Sequence, residues 1–353
     1  MRERKWLRLC VIAGFVACGI GLFVDPKAML GCWLAAWFAA AAIPIGALGV
    51  LFTSYLVRGG WTQDLHGPLA RAALTLPVAG LLFIPVLAGM KAVYPWAGGD
   101  VALPWFKTAY LAPWFFALRA AFYFVIWTAL ALWAQRAFDD DAARVRSASV
   151  GLIVWSLTVS LAGIDWLESV EPYFHSSIYG MLTIGFVLLA GLAFGMMIVL
   201  QRLPRQMANT AYAGTLLSVL LLWAYLHAMQ YIIIWTGNIP GEVVWYVKRS
   251  EGGWAVALWV LFLGQFIIPF LALCSPRVRS STRALIWIAG ATLALRYLEA
   301  AVLVLPPLKA GWALAFCLPA ATLAIGATQL LAWRASEWWL ARLATDRAAV
   351  GAP

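Results

Sequence analysis

Apolar residues run along this chain in blocks of about twenty, the length at which an α-helix crosses the hydrocarbon core of a bilayer. Ten such blocks are read, at 6–24, 29–57, 72–93, 113–134, 150–167, 176–200, 213–235, 253–273, 282–305 and 312–333. The expected fold is all-α, a polytopic membrane protein. The second block is long enough to tilt or bend, and Pro44 inside it marks the place. No block looks broken by paired glycine and proline at its middle, so unbroken spans are expected. Gly191 and Gly195 form a G-x-x-x-G in the sixth block, a signal for close helix packing. Helix counting divides the chain into a first helix (1–28), a four-helix bundle (29–167), a second four-helix bundle (168–305) and a last helix with its tail (306–353). Four is even, so the two bundles would enter the membrane from the same side and be related by an axis along its normal.

One stretch between blocks is more than a short loop. Residues 165–180 hold Asp165, Glu168, Glu171 and His175, and they join the fifth block to the sixth.

Composition agrees with the pattern. Of 353 residues 64% are hydrophobic and 11% charged, where a soluble protein carries about 25% charged, and no region is polar enough for a separate soluble domain. The net charge of +10 does not point to nucleic acid, because the basic residues sit in short clusters between apolar blocks, as topology signals do. With the N-terminus inside, seventeen of them fall on inner segments: Arg2, Arg4, Lys5, Arg8, Arg58, Arg71, Arg136, Arg144, Arg146, Arg202, Arg205, Arg277, Arg279, Arg283, Arg334, Arg342 and Arg347. Six fall outside: Lys27, Lys91, Lys107, Lys248, Arg249 and Lys309. Both termini are therefore expected in the cytoplasm. The first block reads as an uncleaved span and not a signal peptide, since it continues to Val24 with no A-x-A-like site after it. Asp139, Asp140 and Asp141 read as a solvated helix cap.

Several chemistries are unsupported. Cys10, Cys18, Cys32, Cys274 and Cys317 form no C-x-x-C or C-x-x-C-H, which speaks against a disulfide framework, iron–sulfur ligation and covalent haem. A b-type haem would want histidines on facing helices, and His227 alone lies within a block. There is no phosphate loop, zinc spacing or nucleophile elbow. This chain is expected to hold no metal and no redox cofactor of its own.

Ionisable groups inside a span cost about 2.5–3.5 kcal/mol each, so each one asks for a reason. They are Arg119, Asp165, His227, Arg296 and Glu299. At about 1.5 Å rise per residue, Arg119 lies roughly 9 Å, His227 roughly 12 Å, Arg296 roughly 14 Å and Glu299 roughly 9 Å from the outer ends of their blocks. All fall in the outer half of a core about 30 Å thick. Arg296 and Glu299 are three apart and share a helix face, as do His227 and Gln230. Two readings stay open for the first pair: a self-neutralising ion pair, or a proton-handling carboxylate beside an arginine.

Asp165-Trp166, Ser169, Glu171-Pro172, Phe174 and Ser176-Ser177-Ile178-Tyr179-Gly180 resemble the D-W-x-x-S-x-E-P-x-aromatic-x-S-T-I-aromatic-G signature of NrfD-like membrane subunits of alternative complex III, a bacterial quinol:cytochrome c oxidoreductase, and of its two such subunits more closely the second. The run from Ile234-Trp235-Thr236-Gly237-Asn238-Ile239-Pro240 through Glu242, Trp245-Tyr246 and Gly252-Gly253-Trp254 is similar to an outer loop of that family. The chain departs from the pattern with Tyr173 where histidine is usual, His175 two positions on, and Gly241 where a second glutamate is common.

The resemblance implies a cofactor-free integral subunit in the bacterial inner membrane. Its implied partners are membrane lipid, iron–sulfur and c-type cytochrome subunits on the outer face, and a sister NrfD-like subunit. It implies quinol, of the menaquinone or ubiquinone type, oxidised near the outer side. That oxidation releases protons and needs a base, so Asp165, Glu171, His175, His227, Gln230, Arg296, Glu299 and Arg119 are the candidates for a quinol pocket or proton path. Two other readings remain: a secondary transporter for a small anionic or apolar solute, with Arg119 or Arg296 as the anion site, and a structural anchor in which the buried ions only pair.

Overall fold

The computed structural model describes residues 2–57, 59–99, 101–202, 206–308 and 311–350, without the side chains of 2–4, 60–61, 206–208 and 337–350. Arg58, Arg205 and Lys309 lie outside the described residues, as do the side chains of Arg2, Arg4, Arg342 and Arg347. Among the described residues there is no strand, and ten helical segments are long and apolar enough to cross a membrane.

The spans are α1 (Arg2–Val24), α2 (Pro26–Leu56), α3 (Gly60–Ala73, with short continuations to Val93), α4 (Pro113–Arg136), α5 (Asp141–Trp166), α6 (Tyr179–Arg202), α7 (Gln206–Gly237), α8 (Gly252–Leu261, continued by Ile268–Cys274), α9 (Thr282–Val304) and α10 (Leu314–Val350). Asp140 caps α5 by accepting from the backbone N–H groups of Ala142 and Ala143, as the sequence predicts. A further helix, Pro240–Arg249, connects α7 to α8.

α2 is the axis of the molecule, packed against α3, α5, α6, α9 and α10. Its crossing with α6 is so close that a side chain has no room. A Cβ on Gly46 would lie 1.6 Å from the Val187 carbonyl oxygen, and one on Gly191 would lie 2.3 Å from the Ala47 nitrogen. Gly195, the other half of the G-x-x-x-G, faces Leu69 of α3 instead. The small residues thus serve two different neighbours.

The third span is not the unbroken helix 72–93. It begins at Gly60 and breaks at Leu74–Thr75, around Leu82–Phe83 and at Gly89. Pro77 and Pro85 each start a new short helix and have no N–H to give the preceding turn. The N–H of Phe83 tightens onto Gly80 O and that of Val86 onto Phe83 O, which leaves the carbonyls of Ala79 and Leu82 unclaimed by the helix. α2 supplies the missing donors: the indole N–H groups of Trp37 and Trp33 donate to Ala79 O and Leu82 O, both at 2.8 Å. In a bilayer core no water would do this. The eighth span is also irregular, with a π-type turn at Phe262–Ile267.

Candidate functional site

The eight candidate residues fall into separate clusters, all on the side of the molecule that carries the 165–180 connection. Asp165 ends α5 and is 1% exposed. Arg119 of α4 grips it with two parallel bonds, Nε to Oδ2 at 2.8 Å and Nη2 to Oδ1 at 2.9 Å, and the Tyr123 hydroxyl donates to Oδ2 at 2.8 Å. The guanidinium also donates to Tyr110 O and lies over the rings of Tyr110 and Phe115 at 3.8 and 4.6 Å. Among the described residues the guanidinium of Arg119 is thus committed to Asp165 and to Tyr110 O.

Glu171 is held from the far side of the fold. Lys248 Nζ donates to Oε2 at 2.6 Å and Arg249 Nη1 to Oε1 at 2.8 Å. Arg249 in turn stacks on Trp245 at 3.7 Å and donates through Nε to Val302 O and through Nη2 to Leu303 O at the end of α9.

The rest of the 165–180 stretch is built in the same way. Trp166 stacks on Phe124 with centroids 5.5 Å apart and meets Trp37 edge-on at 5.0 Å. Its carbonyl accepts from the Tyr94 hydroxyl, and the Ser169 carbonyl from the Trp96 indole. Phe174 stacks on Trp245, and a Cβ on Gly180 would sit 2.7 Å from that of Ser160. The residues that carry the family resemblance are therefore a latch between helices.

The groups with chemistry to spare lie off that latch. Glu299 of α9 is 3% exposed and meets Arg296 Nη1 through Oε2 at 2.5 Å. Its Oε1 accepts from the Trp223 indole at 3.0 Å and faces His227 Nε2 at 3.3 Å. His227 Nδ1 lies 3.0 Å from Trp223 O, a carbonyl that can only accept. That contact assigns the hydrogen to Nδ1, so Nε2 can face a carboxylate oxygen favourably only if one proton lies between the two. Either the imidazole or the carboxyl carries it. The His227 side chain is 35% exposed while that of Glu299 is 4% exposed, so the proton sits between an open residue and an enclosed one.

Gln230, on the same face of α7, pairs with the Ser176 hydroxyl at 3.3 Å. A cavity of about 20 Å³ lined by His227, Gln230, Glu299, Tyr179 and Trp245 adjoins the pair. That is room for one water and not for an aromatic ring.

A wider cleft of about 190 Å³ opens nearer the surface, lined by Phe106, Lys107, Tyr110, Glu168 and His175 among others. Lys107 Nζ reaches His175 Nε2 at 2.8 Å and Pro172 O at 3.2 Å. Partial burial, and then the Lys107 charge, hold the His175 imidazole below its ordinary 6.5, and partial burial lowers the Lys107 amine. Glu168 gives Oε1 to the Ser176 N–H, while its buried Oε2 has no partner among the described residues.

Glu168, Lys107, Lys248, Arg249 and Trp223 are the participants that the sequence reading missed. Trp223 stands four residues before His227, so helical spacing alone placed it on the same face. The other four gave no local signal. No protein-family model matches this chain, and no curated protein matches it.

Proposed function

We propose that this chain is an integral subunit of a respiratory quinol:electron-acceptor oxidoreductase of the NrfD-like type. In this reading it sits in a bacterial inner membrane with both termini in the cytoplasm, and it moves protons released near the outer face through His227 and Glu299. Quinol gives up its electrons to iron–sulfur and c-type cytochrome partners, and each proton it loses needs a base that is neither fully neutralised nor sealed. Asp165 and Glu171 are bound by cations with no imidazole beside them, whereas Glu299, itself paired with Arg296, keeps a second oxygen facing His227. The 3.3 Å approach of His227 Nε2 to Glu299 Oε1, with the imidazole open on one side, is the observation that carries the reading. The adjoining cavity of about 20 Å³ favours a proton path over a quinol ring at that point.

The transporter alternative gains from the broken third span but loses its anion sites, because Arg119 and Arg296 both already face carboxylates. The test is quinol turnover and proton release by the isolated complex carrying Glu299→Gln or His227→Phe. Loss of proton release with assembly intact is expected, and native rates of both in the two variants would overturn the assignment.

A further inference from the structure

A second, larger cavity lies deeper in the fold, walled by five spans: Ala40 and Pro44 of α2, Thr75 at the first break of the third span, Phe194 of α6, Tyr297 of α9, and Gln329 of α10 among others. Its volume is about 120 Å³. At 1.5 Å per residue, Pro44, Phe194 and Gln329 stand about 27, 22 and 22 Å from the 165–180 ends of their helices, against about 8 Å for Glu299. The α2, α6 and α10 walls therefore lie deeper than the His227–Glu299 site, while Tyr297, about 10 Å from the end of α9, faces the cavity from the level of that site.

Two features of its wall are costly if the space is empty. Pro44 has no N–H, so the Ala40 carbonyl lacks its helical donor, and both residues line the cavity. Both amide atoms of Gln329 are buried without a partner among the described residues, as is the indole N–H of Trp333, another lining residue. A buried amide without a hydrogen bond is costly. The wall offers donors and acceptors together. Arg71 is turned over the Trp333 ring at 4.1 Å with Nη2 directed to the Trp333 carbonyl. A neutral ligand that both donates and accepts fits such a lining, and water is the smallest.

We propose that this cavity is a hydrated chamber with room for several waters. Water then reaches the Tyr297 side chain, one residue along α9 from Arg296. The chamber does not rest on the proton reading of Glu299.

Radiolytic hydroxyl-radical footprinting of the full chain in its complex tests this, because radicals form from ordered water beside the side chain they oxidise. Tyr297 and Trp333 should be oxidised several-fold faster than Trp155, whose indole is packed against Ile45 O and is 1% exposed. Gly326→Leu fills the chamber, since a Cβ there already stands 3.7 Å from the Tyr297 hydroxyl. It should bring Tyr297 down to the Trp155 rate and leave the exposed Trp312 unchanged as a check on folding. Oxidation of Tyr297 at the Trp155 rate in the native protein overturns the proposal, as does an undiminished rate in a folded Gly326→Leu variant. Xenon pressure supplies a second measurement on the native protein alone: a dry cavity takes up the gas and a hydrated one does not. Uptake of xenon at this site sinks the chamber.

Discussion

Glu299→Gln separates a tolerated ion pair from an arginine that depends on its carboxylate. In the native protein Arg296 is 1% exposed, and none of Nε, Nη1 and Nη2 makes a hydrogen bond among the described residues, so its contact with Glu299 is one of charge alone. Glu299 is the one anion paired with it there. Taking the 2.5 Å contact as the charge separation, the attraction is about 7 kcal/mol at an effective dielectric of about 20. Removing two ions from water takes several kcal/mol each, so the intact pair comes close to break-even. The single variant keeps the desolvation of Arg296 and loses the attraction, and breaking a buried pair in this way destabilises by about 3–5 kcal/mol. The double variant Arg296→Gln, Glu299→Gln has no ion left to desolvate and should recover to within about 1 kcal/mol of native. The assay is unfolding of the purified protein in mixed micelles on titration with SDS, read by tryptophan fluorescence for the native protein, Glu299→Gln, Arg296→Gln and the double variant. If the two single losses simply add in the double variant, Arg296 is satisfied elsewhere and the reasoning fails.

Other expectations follow from the same geometry. Trp37→Phe keeps an aromatic ring near Phe83 and Trp166 but leaves the Ala79 carbonyl without its donor; a loss of about 1–3 kcal/mol is expected in the same unfolding assay, and no loss would mean that the broken third span finds its donor elsewhere. Asp165→Asn should destabilise the protein, because Arg119 loses its counter-ion, while proton release by whatever complex assembles keeps its native rate per molecule; a selective loss of proton release would move the site to α5. His175 is held below 6.5 in the folded protein by burial and by Lys107, so the unfolded chain takes up this proton first on acidification. The contribution to stability is therefore full above pH 6.5 and shrinks as the pH falls below it. Lys107→Met should raise the His175 midpoint, seen as a shift to higher pH in the rate of its modification by diethyl pyrocarbonate, and an unmoved midpoint would rule out the Lys107 contribution.

The spans are legible because an apolar run of twenty has few alternatives in water or lipid. Which way each span faces is not. α1 and α2 are both strongly apolar, yet α1 leaves Ile12, Val16 and Phe23 exposed while α2 is buried along nearly its whole length. Hydropathy reports transfer out of water and does not distinguish lipid from protein as the destination. The breaks of the third span go with Pro77 and Pro85 and the glycines Gly80 and Gly89 that follow them, and the tryptophans that stabilise them lie on another helix. At the site, the Arg296–Glu299 pair could be read from a spacing of three, since both partners lie on one helix. Arg119 with Asp165, Lys107 beside His175, and Glu171 with Arg249 join residues from distant elements, and a single sequence records no such proximity. The signature block lies beside the candidate site for an indirect reason: its residues hold that side of the molecule together, and the open imidazole stands near them on α7.

The bonds of Arg249 give the helix Pro240–Arg249 a mechanical role. One guanidinium clamps Glu171 of the connection, Trp245 of its own helix, and the Val302 and Leu303 carbonyls at the end of α9. Those carbonyls stand about one helical turn beyond Glu299. The connection, the 240–249 helix and the end of α9 are therefore tied together through one side chain, about one turn from the buried carboxylate.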